Sequence, residues 1–209
     1  AFDPYRVMNP NKIFDTPSLT DNLRYGNKYT TFSPPIKLDW AAEGGFVSAV
    51  EKCNGVGACR KVNAGAMCPS YQATREEMHS TRGRANTLRS VLSGSLPRET
   101  LHSKELFEVF SLCVECKSCK SECPSNVDMA KIKSEFLYGY NKKNGTPITS
   151  RFIANIHSIS ALTIPFAPIF NFTTGTAAFR FINEKLFGFD RRRKLPNLMT
   201  QTFERWFNK

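Results

Sequence analysis

The sequence predicts a mainly α-helical protein with an extended N-terminal linker and a C-terminal helical segment that is both apolar and basic. Three observations predict it. From Phe46 onward apolar residues recur at helical spacing; no run shows the period-2 alternation of a strand; and five of the twelve prolines fall in the first 45 residues. The composition allows such a core. With 209 residues and 41% hydrophobic content the chain can bury roughly 70% of its unfolded surface, and ordinary aromatic content with 22% charged residues excludes a disordered protein.

Residues 1–45 form the linker. Pro4, Pro10, Pro17, Pro34 and Pro35 lie among many Asn, Asp and Thr, which favours turns and extended backbone over helix. The chain opens Ala1-Phe2-Asp3-Pro4 without an initiator Met, a basic n-region or an apolar h-region, and so reads as a piece of a longer polypeptide. Residues 46–145 form the helical domain. Ala85, Leu88, Val91 and Leu92 share one helix face; Leu106, Val109 and Phe110 share a second; Met129, Ile132, Phe136 and Tyr140 share a third. For the third helix, Ser125 with Asp128 supplies a start signal and Asn144-Gly145 a stop.

Residues 146–209 differ in kind. Positions 152–179 contain no Asp, Glu, Lys or Arg, ten of the seventeen Phe lie between Phe152 and Phe207, and this third of the chain carries six of the eleven net positive charges. Asn155, His157, Ser158 and Ser160 interrupt the apolar run and Pro165 and Pro168 are expected to break its middle, against a membrane-spanning helix. Packing on the rest of the protein is the leading reading, ahead of cover by a neighbouring domain and of shallow membrane attachment. The run Arg191-Arg192-Arg193-Lys194 reads as a solvated cap that lipid headgroups or an acidic partner would also satisfy.

Seven cysteines cannot form a fully paired disulfide framework, and their spacings point to metal in a reducing compartment. Cys113, Cys116, Cys119 and Cys123-Pro124 read C-x2-C-x2-C-x3-C-P. Three thiolates at this spacing wrap one iron-sulfur cube, and the fourth, ahead of proline, turns to a second cluster in two-cluster ferredoxins. The pattern therefore demands a partner, and upstream stand Cys53, Cys59 and Cys68-Pro69, with Gly55, Gly57 and Gly65 allowing close backbone approach. Crossed ligation then groups Cys113, Cys116 and Cys119 with Cys68, and Cys53 and Cys59 with Cys123. In the C-x2-C-x2-C frame the missing eighth thiolate falls at Val56. Eight residues separate Cys59 from Cys68, so the loop is enlarged and a non-Cys ligand such as His79 stays open.

The alternatives fit worse. Zinc modules use four ligands per ion in pairs, inert core thiols have no reason for this spacing, and Gly55-Val56-Gly57 follows no strand as a nucleotide fingerprint would. The pI near 9.5 raises nucleic-acid binding. Positive charge is not interleaved with aromatics in one stripe, so nucleic acid is not an expected partner.

The spacing Cys53 to Cys59 resembles the C-x5-C motif of the succinate dehydrogenase iron-sulfur subunit, which implies one 4Fe-4S and one 3Fe-4S cluster, or a second 4Fe-4S if another ligand serves. The segments Cys53-Asn54-Gly55-Val56-Gly57-Ala58-Cys59-Arg60-Lys61, Met67-Cys68-Pro69-Ser70-Tyr71 and His79-Ser80-Thr81-Arg82-Gly83-Arg84-Ala85-Asn86 resemble the ferredoxin-like portion of large bacterial FAD-linked oxidases. Phe2-Asp3-Pro4 and Met8-Asn9-Pro10-Asn11-Lys12-Ile13 resemble the close of the flavin domain in these fusions. This resemblance implies the α-helical ferredoxin fold and a preceding FAD domain that oxidises a D-2-hydroxy acid such as lactate, glycolate or 2-hydroxyglutarate. It also implies a downstream Cys-rich domain.

The expected role is electron transfer from that flavin to an acceptor, a quinone or a carrier protein, with FAD in the full-length protein and not in this segment. A free-standing subunit like that of succinate dehydrogenase is the alternative. No catalytic triad is evident and His79, His102 and His157 form no metal triad, so this segment is not expected to turn over substrate alone. Arg82 and Arg84 are expected to meet helix carboxylates or cluster-loop carbonyls. The expected location is cytoplasmic, with the inner membrane surface open as a docking place.

Overall fold

A computed structural model describes residues 3–208 apart from 6, 9, 13, 14, 22 and 27. Of the flavin-domain resemblance, Phe2, Asn9 and Ile13 lie outside the described residues. Among the described residues the chain is helical with no strand, in two compact units, Ala1–Lys143 and Asn144–Lys209.

The first unit holds α1 (Phe46–Glu51), α2 (Pro69–Thr74), α3 (Thr81–Leu92), α4 (Lys104–Ser111), α5 (Ser118–Glu122) and α6 (Met129–Asn144), joined by short 3-10 turns. Its centre is α3. Ala85, Leu88, Val91 and Leu92 are buried as their spacing requires, and they meet Val50 of α1, Leu106 and Phe110 of α4, and Ile132 and Phe136 of α6 in one apolar core. Ser80 caps α3 by accepting the Gly83 N–H at 2.8 Å, and Ser103 caps α4 by accepting the Leu106 N–H at 3.2 Å. Helix α6 begins later than the Ser125 signal suggested. Its cap is Asp128, whose Oδ1 accepts the Lys131 N–H at 3.0 Å, because Asn126 turns the chain with φ 52° and Val127 is drawn into the core. The expected stop holds, with Gly145 at φ 85°.

The later part of the segment read as linker is tied to this unit. Phe32 donates its N–H to Leu92 at 3.0 Å, and Trp40 is buried against Phe46 at 5.2 Å between ring centres. The carboxylate of Glu135 on α6 accepts the Lys37 N–H at 2.7 Å, the Leu38 N–H at 2.9 Å and the Trp40 indole N–H at 2.8 Å. Those donors are thereby satisfied without a strand or helix.

Gly83 explains how α3 begins against the 77–79 turn. A Cβ there would overlap the Glu77 carbonyl oxygen and lie 2.8 Å from its carbon. Backbone cannot move aside cheaply, so Gly83→Ala is expected to cost roughly 3 kcal/mol, read as a drop of several degrees in the thermal midpoint followed by circular dichroism.

The second unit contains α7 (Ile148–Ala154), α8 (Ile156–Thr163), α9 (Ala167–Gly175), α10 (Ala177–Phe187) and α11 (Phe203–Phe207). Thr149 donates to the Phe187 carbonyl at 2.7 Å, Phe152 meets Phe187 at 5.0 Å, and Asn171 bonds both the N–H and the carbonyl of Leu198. Among its described residues only Ala167 and Thr174 are buried. Leu162, Phe166, Ile169 and Phe172, spaced four, three and three apart, form an exposed stripe. Pro165 and Pro168 do not set the sharp bend, because each occupies the first turn of its element, where no N–H is needed. The bend of 66° falls at Asn155, between Ile148–Ala154 and Ile156–Gly175. No single helix among the described residues is long and apolar enough to cross a membrane; that bent pair passes only by combined length and composition.

Candidate iron-sulfur site

Four cysteines from two distant parts of the sequence line one cleft: Cys68, Cys113, Cys116 and Cys119. Cys68 stands at the start of α2, where Pro69 occupies the first helical turn and the Tyr71 N–H is directed at the Cys68 thiol. The other three lie on the 113–119 loop. Its path depends on left-handed backbone at Glu115 (φ 54°) and Lys117 (φ 63°), and α5 then carries Cys119 inward. Lys133 of α6 fastens this loop by donating to the Cys113 carbonyl at 2.5 Å and pairing with Glu115 at 3.5 Å. Met67, Met129 and Ala130 supply apolar wall.

Arg84 is the charge built into the cleft. It is completely buried, yet every arm of its guanidinium has work: Nε donates to the Val109 carbonyl at 2.9 Å, Nη1 to the His79 carbonyl at 2.7 Å and the Cys68 sulfur at 3.6 Å, and Nη2 to the Ser70 hydroxyl at 3.0 Å. Burial alone would raise the Cys68 thiol, but the Ser70 hydroxyl, the Tyr71 N–H, Arg84 and Thr81 outweigh it and bring the net shift below the ordinary value. Cys113 and Cys119 move the other way. Burial pushes both up, against nearby N–H donors that favour the thiolate.

On the second side, Cys53 and Cys59 are buried at the two ends of a loop whose Gly55 and Gly57 have φ 86° and 78°. Arg82 closes it. Its backbone N–H points at the Cys59 sulfur at 3.4 Å, its Nη1 donates to the Gly55 carbonyl at 3.1 Å, and its Nε and Nη2 grip both oxygens of Glu77 at 2.7 and 3.0 Å. Burial pushes the Cys59 thiol up, with that Arg82 N–H and Ser80 pulling against it. Val56 is exposed, with its N–H on the Asn54 side chain at 3.0 Å. Cys123 is partly buried at the end of α5 and packs on the same core as Cys53 and Cys59. The residue before it ties the two Cys-Pro loops together, since Glu122 accepts the Ala66 and Met67 N–H groups at 2.8 and 3.1 Å. Those two bonds hold the Glu122 carboxyl below its usual range.

Arg82 thus meets a carboxylate and a cysteine-loop carbonyl as expected, whereas Arg84 meets carbonyls of α4 and the 77–79 turn instead. His79 is committed elsewhere: its Nδ1 lies 2.9 Å from the Thr74 hydroxyl and 3.5 Å from Glu76. Sequence reasoning missed Glu122, Lys133, Ser70 and Glu77. Of these only Glu122, a carboxylate adjoining a candidate ligand, carried any local signal.

The donor set suits an iron-sulfur centre. Among the described residues no three His, Cys, Asp or Glu side chains converge as a single metal ion requires; the cleft instead spreads four thiols around a volume, with N–H donors and a buried cation directed at sulfur.

Residues 49–127, a span that includes all seven cysteines, match the 4Fe-4S dicluster domain. The D-2-hydroxyglutarate dehydrogenase of Escherichia coli is 28% identical over 90% of this chain and 22% of its own length, and that of Pseudomonas putida 29% over 79% and 19%. The Escherichia coli glycolate oxidase iron-sulfur subunit is 36% identical over 30% of this chain and 14% of that protein. The chain therefore spans about a fifth of the length of the dehydrogenases it matches. No solved structure matches it. With a helical scaffold that brings cysteines into one cleft, the chain is similar over residues 49–127 to the 4Fe-4S dicluster domain, over most of its length to part of the D-2-hydroxyglutarate dehydrogenases, and over a shorter stretch to glycolate oxidase iron-sulfur subunits.

Proposed function

We propose that this chain is the electron-relay module of an FAD-linked D-2-hydroxy-acid dehydrogenase, in which a preceding flavin domain oxidises the substrate and a downstream acceptor receives the electrons. The observation that carries the reading is the cleft shared by Cys68 with Cys113, Cys116 and Cys119. It joins one Cys-Pro motif to the other, the crossed arrangement that a two-cluster relay needs and a single structural centre does not. These four would hold a 4Fe-4S cluster, and Cys53, Cys59 and Cys123 a 3Fe-4S cluster. Bound there, such clusters take up and release single electrons, which lets a two-electron flavin discharge stepwise. The protein's own part is to direct donors at sulfur: Arg84 sets positive charge beside Cys68, and Arg82 directs its N–H at Cys59. The apolar stripe through Leu162 and Phe172, with the basic run Arg191–Lys194, suits attachment at the cytoplasmic membrane surface.

Iron and acid-labile sulfide, counted per chain on anaerobically prepared protein, test the reading. Seven irons are expected. Eight would require a further ligand on the Cys53 side, and stoichiometric zinc without sulfide would overturn the proposal.

Val56 offers a finer test. Because it occupies the central place of the frame between Cys53 and Cys59, oxidised protein should give the electron paramagnetic resonance signal of a 3Fe-4S centre. Val56→Cys should replace it with a second four-iron centre of lower potential, because an added thiolate brings more negative charge. The position is exposed, so the thermal midpoint should stay put. An unchanged spectrum and iron count in the variant would show that residue 56 does not face the cluster.

A further inference from the structure

A second cavity lies further along α6. It encloses about 230 Å³, and its walls are mainly apolar: Pro34 and Pro35 from the pinned N-terminal segment, Phe46 from α1, and Phe136 from α6. Glu135 builds it, because the three bonds it accepts from residues 37, 38 and 40 hold the proline segment against the helix. The polar residues at the cavity are His102, Lys142, Lys143, Tyr138 and Glu135; both oxygens of the Glu135 carboxylate already accept the bonds from residues 37, 38 and 40, which leaves the nitrogens of His102, Lys142 and Lys143 as the donors. Lys142 sits over the Tyr138 ring at 5.9 Å, and Gly139 leaves space beside the His102 ring, since a Cβ there would stand 3.5 Å from its Cε1.

This cavity and the cysteine cleft share α6. Ala130 lines the cleft and Phe136 lines the cavity, six residues apart, which is about 9 Å of helix rise. A packed route also joins them: Phe136 stacks on Phe110 at 4.6 Å, and the Phe110 carbonyl accepts the Cys113 N–H at 3.0 Å.

We propose that this cavity binds the ring of a quinone, which is the electron acceptor of the relay; the acceptor role rests on the function proposed above. The chemistry selects this class. A volume of this size takes one ring and leaves a tail outside, its aromatic and proline walls suit a flat uncharged face, and ammonium and imidazole groups suit carbonyl oxygens that gain negative charge. A small anion would need a polar pocket, and a fatty acyl chain a longer channel. Burial, then the charge of Lys143, lowers the His102 pKa, so its imidazole stays neutral at pH 7 and can pass a proton. Reduction of the quinone to hydroquinone consumes two electrons and two protons. The electrons come singly from the reduced clusters, the protons from solvent through these groups, and no covalent bond to the protein forms or breaks.

The test uses duroquinone and the anaerobically reconstituted chain. Isothermal titration calorimetry should give one saturable site per chain. Gly139→Leu, which places a side chain in the cavity while favouring the helix, should weaken binding at least tenfold with iron, sulfide and circular dichroism unchanged. Tyr138→Ala, at a partly exposed wall position, serves if the first variant does not fold and should weaken binding severalfold. In a second arm, clusters reduced with dithionite and freed of excess reductant should regain their oxidised absorbance on adding duroquinone, at least tenfold more slowly in Gly139→Leu. Equal binding in wild type and variants overturns the site, and binding without faster reoxidation overturns its role as acceptor. Failure of the chain to assemble clusters would instead overturn the relay reading, while calorimetry still reports on the cavity.

Discussion

Replacing Arg84 with alanine is expected to lower the stability of the first unit by about 3–5 kcal/mol, the range for removing one member of a buried, fully bonded charged group. The side chain is completely enclosed, and its loss would strand the Val109 and His79 carbonyls and the Ser70 hydroxyl away from water and open a cavity at the centre of the cleft. Since a domain of this size has roughly 5–15 kcal/mol in hand, the thermal midpoint should fall by about 10 °C or more. Arg84→Lys keeps the charge but cannot reach carbonyls from α4 and the 77–79 turn with one ammonium group, so it should recover only part of the loss. A midpoint within two degrees of wild type for Arg84→Ala would show that the guanidinium does not hold these elements together.

The second large effect concerns iron rather than stability. Cys68→Ser should remove the four-iron centre whose other candidate ligands lie 45 or more residues downstream, while sparing the centre beside Cys59, only nine residues away in sequence. Iron should drop by about four per chain, with the 3Fe-4S signal retained. Cys123→Ser should do the reverse. Spectra in which each serine variant loses the cluster nearest it in sequence would refute crossed ligation.

The helices that pack most tightly were legible because burial repeats every three to four residues. Ala85, Leu88, Val91 and Leu92 read as one face and are buried as one. The cysteine motifs were legible for a different reason: metal chemistry demands a residue type at a spacing, and spacing survives without an alignment. What could not be read were contacts with no period and no local partner. Glu135 meets residues nearly a hundred positions earlier, and Glu122 meets Ala66 and Met67 across more than fifty. A glutamate on a helix looks the same in sequence whether it faces water or caps a distant loop. The same limit placed the start of α6 too early, because Ser125 and Asp128 both carry capping side chains and only packing of Val127 decides between them. In the second unit no single described helix is long and apolar enough to cross a membrane, but the prolines were the wrong reason, since Ile156–Gly175 runs on through Pro165 and Pro168. The bend at Asn155, away from the prolines, follows from backbone choices that composition does not record.

The bonds from Glu135 to Lys37, Leu38 and Trp40 also govern the order in which the chain can be built. A ribosome adds roughly 5–20 residues per second, so the proline segment emerges about 5–20 seconds before the carboxylate that will receive its N–H groups. During that interval Trp40 has neither Glu135 nor Lys131 beside it and remains a sticky, solvent-facing indole. Such long-range pairing makes folding slow relative to a local helical bundle. Closure of the first unit is therefore a late event in synthesis, and a stalled chain ending before α6 would present its N-terminal aromatic segment to chaperones instead of to its own core.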